Sequence, residues 1–386
     1  PGGMSTARAA VVGGGIGGLA AALALARRGV EVAVYERAPA FHEVGAGLQT
    51  GPNGLHVLHA LGLHAVLEAH AARPVAVEMR DGESGRLVAS VDMSACEERY
   101  GAPYLQFHRA DLLDILADAV SDAGVEVRFD THLSPEAPPD ADVVVAADGV
   151  RSAFRAAIVP GAEPAFTGQV AWRALVPHGS AAEGLDPART QLFMGPGRHV
   201  VVYPLRDGRL WNIVAVEERN EWTAEGWDEP ADAETMRAGF AGWCPQVSNL
   251  LGRIEQGHRW GLFAHGELPR WHKGNVALLG DACHPMLPFM AQGATMALED
   301  AWVLAESLMS HRGVSSALAA YERVRKARAT RVQQVAWRNA RIYHMAPGPL
   351  RMGLRAGMAA VGSLAPGGLL GRFDWLYGHD VTGGRG

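Results

Sequence analysis

The chain has 386 residues, of which 48% are hydrophobic and 20% are charged, and its formal net charge is −6. This length exceeds what one small core needs, and the composition is that of an ordinary globular protein. The acidic balance argues against general binding of nucleic acid or of anionic membranes, so neither is expected as a partner.

Cysteine usage indicates a reducing compartment. Cys96, Cys244 and Cys283 are an odd number without a C-x-x-C pair, and the chain shows no signal-peptide pattern. We therefore expect a cytoplasmic protein, either a monomer or a homodimer. No metal site is expected, because His56 and His59 share a helix face but no third ligand is evident.

Strands and helices alternate in the first part of the chain. In chain order, the hydrophobic pattern predicts a strand at 9–12, a helix at 18–28, a strand at 31–35, short helices at 52–61 and 63–69, a hairpin of strands at 75–80 and 87–91, a helix at 109–123, and strands at 126–129 and 143–146. The first three elements form a βαβ unit, and the apolar last strand is typical of a parallel sheet.

A glycine-rich turn joins the first strand to the first helix. Gly13 permits the tight turn, Gly15 lets the backbone approach a pyrophosphate, and Gly18 lets the helix pack closely on the sheet. Glu36 ends the second strand, where a carboxylate can accept hydrogen bonds from ribose hydroxyls. This motif indicates a dinucleotide site but does not separate FAD from NAD.

The pattern changes after residue 164. It predicts strands at 169–176, 200–203 and 210–217 with a helix near 233–243, then a strand at 275–279, helices at 293–309 and 314–341, and a packed apolar helix within 350–370. We predict an α/β fold with an α+β second domain. A discontinuous Rossmann-like domain takes 4–74, 100–164 and 265–310, an antiparallel-sheet substrate domain takes 75–99 and 165–264, and C-terminal helices take 311–386.

Two further motifs narrow the cofactor to FAD in an extended form. Asp148 follows the strand at 143–146, and Asp281 follows the strand at 275–279, where it can bind the hydroxyls of a ribityl chain. Gln292, Gly293 and Ala294 then open a helix. Its N-terminus can face the electron-rich edge of a flavin and stabilise the anionic reduced ring by up to roughly 2 kcal/mol.

At these motifs the chain resembles the group A flavoprotein aromatic hydroxylases, which have the para-hydroxybenzoate hydroxylase fold. The matching stretches are the glycine loop ending at Glu36-Arg37, Gly45-Ala46-Gly47-Leu48-Gln49, His108-Arg109-Ala110-Asp111-Leu112, Asp148-Gly149, and residues 280–293. The nearest subgroup is that of salicylate 1-hydroxylase, 3-hydroxybenzoate 6-hydroxylase and 6-hydroxynicotinate 3-monooxygenase. Two positions where the last enzyme carries histidines near its substrate hold Gln49 and Phe289 here.

The resemblance implies an enzyme that reduces FAD with NADH or NADPH and hydroxylates an aromatic ring with O2 through a flavin C4a-hydroperoxide. It also implies contacts to the dinucleotide from Arg37 and Arg109, and a place near flavin C4a for Pro288. Gly47 and Leu48 would border the isoalloxazine. Since the chain shows no second dinucleotide motif, the nicotinamide is expected to bind transiently.

His199 and Tyr203 are the candidate catalytic side chains. They lie four residues apart on a predicted strand, so both face one side of the sheet, and the resemblance places them beside the substrate. A phenol has a pKa near 10, so a partner that accepts its proton activates the ring. The alternative is a hydrogen-bonded pair within the sheet.

Gln49, Phe289 and Trp172 are the candidate substrate-binding residues, although aromatic side chains often belong to a core instead. We therefore predict an FAD-dependent monooxygenase acting on a small phenolic or carboxylated aromatic ring. Two alternatives stay open. One keeps the fold but takes a urate-like heterocycle or a larger polyketide or indole ring, and the other is an FAD-binding reductase that does not oxygenate.

Overall fold

The computed structural model describes residues 7–41, 46–179, 183–206, 208–220, 229–231, 233–255, 257–364 and 367–383. The strands are β1 (Arg8–Val12), β2 (Glu31–Tyr35), β3 (Gly47–Thr50), β4 (Ala76–Asp81), β5 (Leu87–Asp92), β6 (Leu105–His108), β7 (Glu126–Arg128), β8 (Val143–Ala146), β9 (Ala165–Pro177), β10 (Arg189–Gly195), β11 (Arg198–Leu205), β12 (Leu210–Glu218), β13 (Glu229–Ala231), β14 (Gly257–Ala264), β15 (His272–Lys273) and β16 (Val276–Leu278). The helices are α1 (Ile16–Ala26), α2 (Pro52–Ala60), α3 (His64–His70), α4 (Cys96–Tyr100), α5 (Arg109–Asp122), α6 (Ala153–Ile158), α7 (Ala233–Gly239), α8 (Pro245–Leu251), α9 (Gly293–Ser310), α10 (Val314–Tyr343), α11 (Pro349–Leu364), α12 (Gly368–Gly371) and α13 (Asp374–Tyr377).

The first sheet has six strands in the order β15-β16-β8-β1-β2-β7. All its pairings are parallel except that of β15 with β16. The central strands are apolar and buried, and α1 packs between this sheet and α9 and α5. The predicted α/β class with a Rossmann-like first domain is confirmed, and the carboxyl ends of β1, β8 and β16 meet at one edge.

The second sheet has eight strands in the order β13-β14-β9-β12-β11-β10-β4-β5. Its pairs are antiparallel except β10 with β4. One face packs on α7 and α8 around buried tryptophan and phenylalanine side chains. The opposite face turns toward the first sheet and the C-terminal helices, so side chains alternate between a closed core and a cavity.

Several elements were not predicted from sequence. Among them are β3 and β6, which pair with each other, and β10, β13, β14, β15, α4, α6 and α8. The helix expected at 233–243 ends at Gly239, because Gly242 adopts a left-handed φ of 81° and starts a turn into Pro245 of α8. Between β7 and β8, Ser134 and Ala137 form an isolated antiparallel bridge.

The apolar helix expected within 350–370 is split into α11 and α12, with residues 365 and 366 outside the described part of the chain. Both α11 arginines turn inward, where Arg351 and Arg355 bind the Asp81 carboxylate at the end of β4. Leu350 and Met352 are instead exposed. Across the residues that the structure describes, no helix combines the length and apolar character needed to cross a membrane.

Candidate active site

The glycine loop after β1 has the geometry that a phosphate cradle requires. Gly13 has a φ of 106°, and a Cβ on it would overlap the Ala147 carbonyl. A Cβ on Gly18 would overlap the Gly13 carbonyl, so α1 packs against the loop itself. No described residue lies within 4 Å of the place that a Cβ on Gly15 would take. Open space therefore faces the N-terminus of α1, which carries about half a positive charge.

Glu36 holds this loop from the end of β2. One carboxylate oxygen accepts a hydrogen bond from Gly14 N at 2.8 Å, and the other accepts one from Ala38 N at 2.8 Å. Each oxygen keeps a second lone pair, so both can also accept from a ribose hydroxyl. Arg37, the next residue, is exposed and lies outside the lining of the cavity described below.

A cavity of about 400 Å³ lies between the two sheets. Its lining includes most of the predicted cofactor residues, namely Gly15, Gly18, Gly47, Leu48, Arg109, Asp281, Gln292, Gly293 and Ala294. Gly13 and Glu36 lie outside this lining. Gly13 forms the turn of the glycine loop, and Glu36 accepts a hydrogen bond from the loop at Gly14 N. Gly45, part of the predicted loop motif, lies outside the described residues.

The start of α9 forms one wall of this cavity. The Gly293 and Ala294 N–H groups belong to the first turn, so they have no acceptor within the helix. Gln292 accepts a hydrogen bond from Asn53 at 3.0 Å, while its own buried Nε2 has no hydrogen-bond acceptor among the described residues. A buried donor without a partner costs about 1–3 kcal/mol. These donors therefore fit the electron-rich edge of a flavin ring.

A buried ionic network beneath α9, which the sequence reasoning missed, fixes the helix. Arg325 of α10 binds Glu299 at 2.5 Å and Asp300 at 2.7 Å, and all three side chains are fully buried. Asp300 also accepts from Gly280 N at 3.1 Å and contacts His284 at 2.5 Å. Burial would raise the pKa of both carboxyl groups, but their cationic partners hold it below the ordinary value. The network joins α9 and α10 to the turn that carries Asp281.

The loop at 148–152 reaches the same edge of the sheet. Asp148 accepts a hydrogen bond from Ala153 N at 3.1 Å, and burial raises the pKa of its carboxyl group. The Asp148 side chain therefore contacts the first residue of α6, whose N-cap is Ser152, and the neighbouring Gly149 lines the cavity. Arg155 donates to the Val150 carbonyl at 2.6 Å and to the Ala282 carbonyl at 3.2 Å, so it ties two of the predicted cofactor motifs together.

His199 and Tyr203 of β11 line the opposite wall, as the alternation along a strand requires. Both side chains are buried. Burial lowers the pKa of His199 well below its ordinary value, with a smaller contribution from His344, so the imidazole is neutral. Burial also raises the pKa of Tyr203, which Arg173 and Arg109 partly oppose.

Gln49 and Phe289 also line the cavity. Gln49 Oε1 accepts hydrogen bonds from Tyr104 at 3.2 Å and from Gln106 at 3.1 Å, and Phe289 lies edge-on to His199 with ring centroids 4.8 Å apart. Pro288 lies beside Phe289 in the lining.

Trp172 corrects one prediction. Its side chain lies on the other face of β9, in the core with α7 and α8, where its indole N–H donates to Glu217 at 3.3 Å. The structure therefore does not support Trp172 as a substrate wall. The next residue, Arg173, lines the cavity with its guanidinium 4.1 Å from the centre of the Trp260 ring.

Among the described residues, no group of three or more His, Cys, Asp or Glu side chains is placed to hold a metal ion. The site is thus a glycine cradle and a helix N-terminus on the first sheet, facing a buried His–Tyr pair on the second. This arrangement defines a dinucleotide-dependent enzyme with a small-molecule cavity at the carboxyl edge of its parallel sheet.

Comparisons with known proteins agree with this class. The model of the FAD binding domain family matches residues 6–336. The 3-amino-4-hydroxybenzoate 2-monooxygenase of Streptomyces platensis is 38% identical over 393 residues, covering 97% of this chain and 96% of that protein. A salicylate hydroxylase substrate complex superposes with a TM-score of 0.82 at 29% identity, covering 98% of this chain and 97% of the other. Klebsiella pneumoniae HpxO complexed with FAD and uric acid gives a TM-score of 0.80 at 26% identity, covering 94% and 97%.

The chain therefore belongs to the FAD binding domain family. It is an FAD-dependent aromatic monooxygenase with NADH or NADPH as co-substrate, and the resemblance inferred from the motifs is confirmed.

Proposed function

We propose that this enzyme hydroxylates a single phenolic ring that carries a carboxylate, with 3-amino-4-hydroxybenzoate and simple hydroxybenzoates as candidate substrates. The relative named above as a 3-amino-4-hydroxybenzoate 2-monooxygenase matches this chain almost end to end. The cavity of about 400 Å³ must also take the flavin ring, which favours one substrate ring over a fused polycycle.

The residues that would hold FAD follow from the fit of the site. The Gly15 loop would bind the pyrophosphate, Glu36 a ribose, and Asp281 the ribityl and phosphate region. Gln292 and the first turn of α9 would face the ring edge. Reduced FAD supplies the activated oxygen that is transferred to the substrate.

The protein's own contribution is to orient the ring and control its proton. We propose that Tyr203 and His199 hydrogen-bond the ring hydroxyl and that the neutral His199 accepts its proton, because loss of that proton raises the electron density of the ring. Pro288 and Phe289 would cover the reacting edge and exclude water.

Two arginine side chains support the proposal that the substrate carries a carboxylate. Arg109 and Arg173 both line the cavity and both lie close enough to Tyr203 to lower its pKa against the effect of burial. A cavity with two guanidinium groups favours an anionic ligand. We propose Arg173 as the substrate's carboxylate partner. Arg109 lies beside the cofactor loop instead, because its backbone N–H donates to the Ala46 carbonyl.

Further proposals concern the whole chain. Sheet membership supports the division into the discontinuous FAD domain at 4–74, 100–164 and 265–310, the substrate domain at 75–99 and 165–264, and C-terminal helices at 311–386. Cys96, Cys244 and Cys283 are all buried and unbridged, which supports a cytoplasmic location.

The test is a substrate panel on the purified flavoprotein. NADH and NADPH oxidation would be measured with 3-amino-4-hydroxybenzoate, salicylate, 3-hydroxybenzoate and 6-hydroxynicotinate, with benzoate as the control that lacks a hydroxyl. Oxidation stimulated by one phenolic acid, with a hydroxylated product, would support the proposal. Oxidation that ignores every phenol would contradict it.

A further inference from the structure

Three side chains in contact, which we call the His199–His344–Glu218 series, lead from the cavity to the surface. His199 Nδ1 lies 2.6 Å from His344 Nε2, and His344 Nδ1 lies 2.9 Å from Glu218 Oε1. His199 uses Nδ1 for this contact, so Nε2 is the nitrogen available to a molecule in the cavity. The residues come from β11, the end of α10 and the end of β12, so only the tertiary fold brings them together.

Along the His199–His344–Glu218 series, the side chains are buried at the cavity end and exposed at the Glu218 end. The His199 residue is 1% exposed and the His344 side chain is 1% exposed, whereas the Glu218 side chain is 55% exposed. Phe289 and Tyr343 lie edge-on to His199 and wall it from solvent. The inner end is therefore dry, and the outer carboxylate can exchange protons with water.

Two backbone hydrogen bonds fix the positions of His344 and Glu218 in this series. The His344 carbonyl accepts from Gly197 N at 3.0 Å, and Glu218 N donates to the Gly197 carbonyl at 2.8 Å. The turn between β10 and β11 thus positions His344 and Glu218 relative to the strand that carries His199.

Burial is the main reason why the imidazoles of His199 and His344 are neutral. His199 faces His344 and Tyr343, and His344 faces Glu218 and Arg198. Burial lowers the pKa of His344, Arg198 lowers it further, and Glu218 opposes both. Two neutral rings, each with its proton on Nδ1, form a directional series that ends on the Glu218 carboxylate.

We propose that His344 and Glu218 form the proton path by which His199 passes the proton of the bound ring hydroxyl to solvent. The proposal rests on the proposed function, because it requires a phenol beside His199. His199 would act directly on the substrate, while His344 and Glu218 act through it.

The transfer balances with no other reactant. The phenol O–H bond breaks as His199 Nε2 gains the proton, and His199 releases its Nδ1 proton to His344 Nε2. His344 releases its Nδ1 proton to Glu218, and Glu218 gives it to water. Both rings end as neutral Nε2–H tautomers, and the ring hydroxyl ends as a phenolate. Return of one proton along the same path, as the product leaves, restores the starting tautomers.

The test measures ionisation of a bound phenol and needs no turnover. The probe is 4-hydroxy-3-nitrobenzoate, whose phenolate absorbs visible light, bound to the oxidised flavoprotein and jumped from pH 5.5 to pH 8 in a stopped-flow instrument. His344→Gln keeps a hydrogen-bonding side chain but cannot relay a proton. His272→Gln is the matched control, because His272 forms a comparable pair with Glu322 at 2.7 Å and is absent from the cavity lining.

We expect His344→Gln to slow phenolate formation about 100-fold, in the range of general acid–base effects, and His272→Gln to leave it unchanged. Glu218→Ala should slow it about tenfold, and added formate should restore the rate in proportion to its concentration. A purely structural role for Glu218 would give no formate dependence.

The outcomes separate the two proposals. A phenolate signal that forms at the wild-type rate in both His344→Gln and Glu218→Ala would overturn the path and leave the proposed function standing. If the wild-type protein binds the probe but forms no phenolate, the path is overturned. If, in addition, no acid in the substrate panel stimulates NAD(P)H oxidation, the proposed function fails with it.

Discussion

Gly47 lies with its α-carbon against the ring of Tyr203, so close that a methyl group at position 47 would overlap the ring. Its N–H also donates to Asn212 Oδ1 at 2.7 Å, which joins the cofactor side of the cavity to the second sheet. The smallest residue on one wall therefore sets the position of a candidate catalytic side chain on the other.

Gly47→Ala should displace Tyr203 or the loop. Overpacking of this kind costs about 1–3 kcal/mol, so we expect kcat/KM to fall roughly 10–100-fold. Gly353→Ala is the control, because a Cβ on Gly353 would have none of the described residues within 4 Å. Equal activity in both variants would show that the contact with Tyr203 does not position it for the reaction.

Substitutions at the adjacent residues Trp172 and Arg173 should have different effects, on protein stability at Trp172 and on substrate binding at Arg173. Arg173→Met removes a cation from the cavity, and we expect KM for a carboxylated substrate to rise at least tenfold with bound FAD unchanged. Trp172→Phe changes the core on the other face of β9, and we expect a lower unfolding midpoint with KM unchanged. Steady-state kinetics and thermal unfolding measure both, and a raised KM in Trp172→Phe would contradict this assignment of the two faces.

His199→Asn and Tyr203→Phe should keep FAD bound. Each removes one partner of the ring hydroxyl, so hydroxylation should fall about 100-fold or more for His199→Asn, and the fraction of NAD(P)H oxidation that yields hydrogen peroxide should rise. Product and peroxide are measured in the same reaction. Normal coupling in both variants would exclude these residues from proton control.

We expect the contact between Asp81 and α11 to stabilise the folded protein less at low pH. Burial would raise the pKa of Asp81, but hydrogen bonds from Arg355 and Ser84 lower it from 3.8 to about 2. Because the folded-state pKa is depressed, this stabilisation is present above the unfolded value and is lost as the pH falls toward the folded one.

The urea midpoint of Asp81→Asn should therefore lie below that of the wild-type protein at pH 6, by an amount equivalent to about 1 kcal/mol. The difference should shrink between about pH 4 and pH 2, following the lowered pKa given above. A difference that is the same at both ends of this range would contradict the assignment.

Much of the cofactor side could be predicted from the sequence, because its signals are local. Gly13, Gly15 and Gly18 lie close together where β1 leads into α1. A Cβ on Gly13 or on Gly18 would overlap a backbone carbonyl, and Gly15 leaves open space at the start of the helix. Asp281 comes shortly after the buried strand β16, and Gln292 is the N-cap of α9.

The substrate side of the cavity could be predicted less well, because its side-chain positions depend on strand register and on residues far apart in the sequence. Trp172 was placed on the wrong face because a β9 side chain's direction is set by pairing with β12 and β14, and a shift of one residue reverses it. His344 lies 145 residues from His199, and Arg325 lies 26 residues from Glu299, so no local pattern pairs them.

The most direct test of the account follows the oxygen atom. The flavoprotein would turn over its best phenolic acid with NADH or NADPH under 18O2, and the product would be analysed by mass spectrometry. The account predicts one labelled oxygen in the hydroxylated ring for each molecule of product. A product without label, or NAD(P)H oxidation that yields only labelled hydrogen peroxide with every phenolic acid, would contradict it.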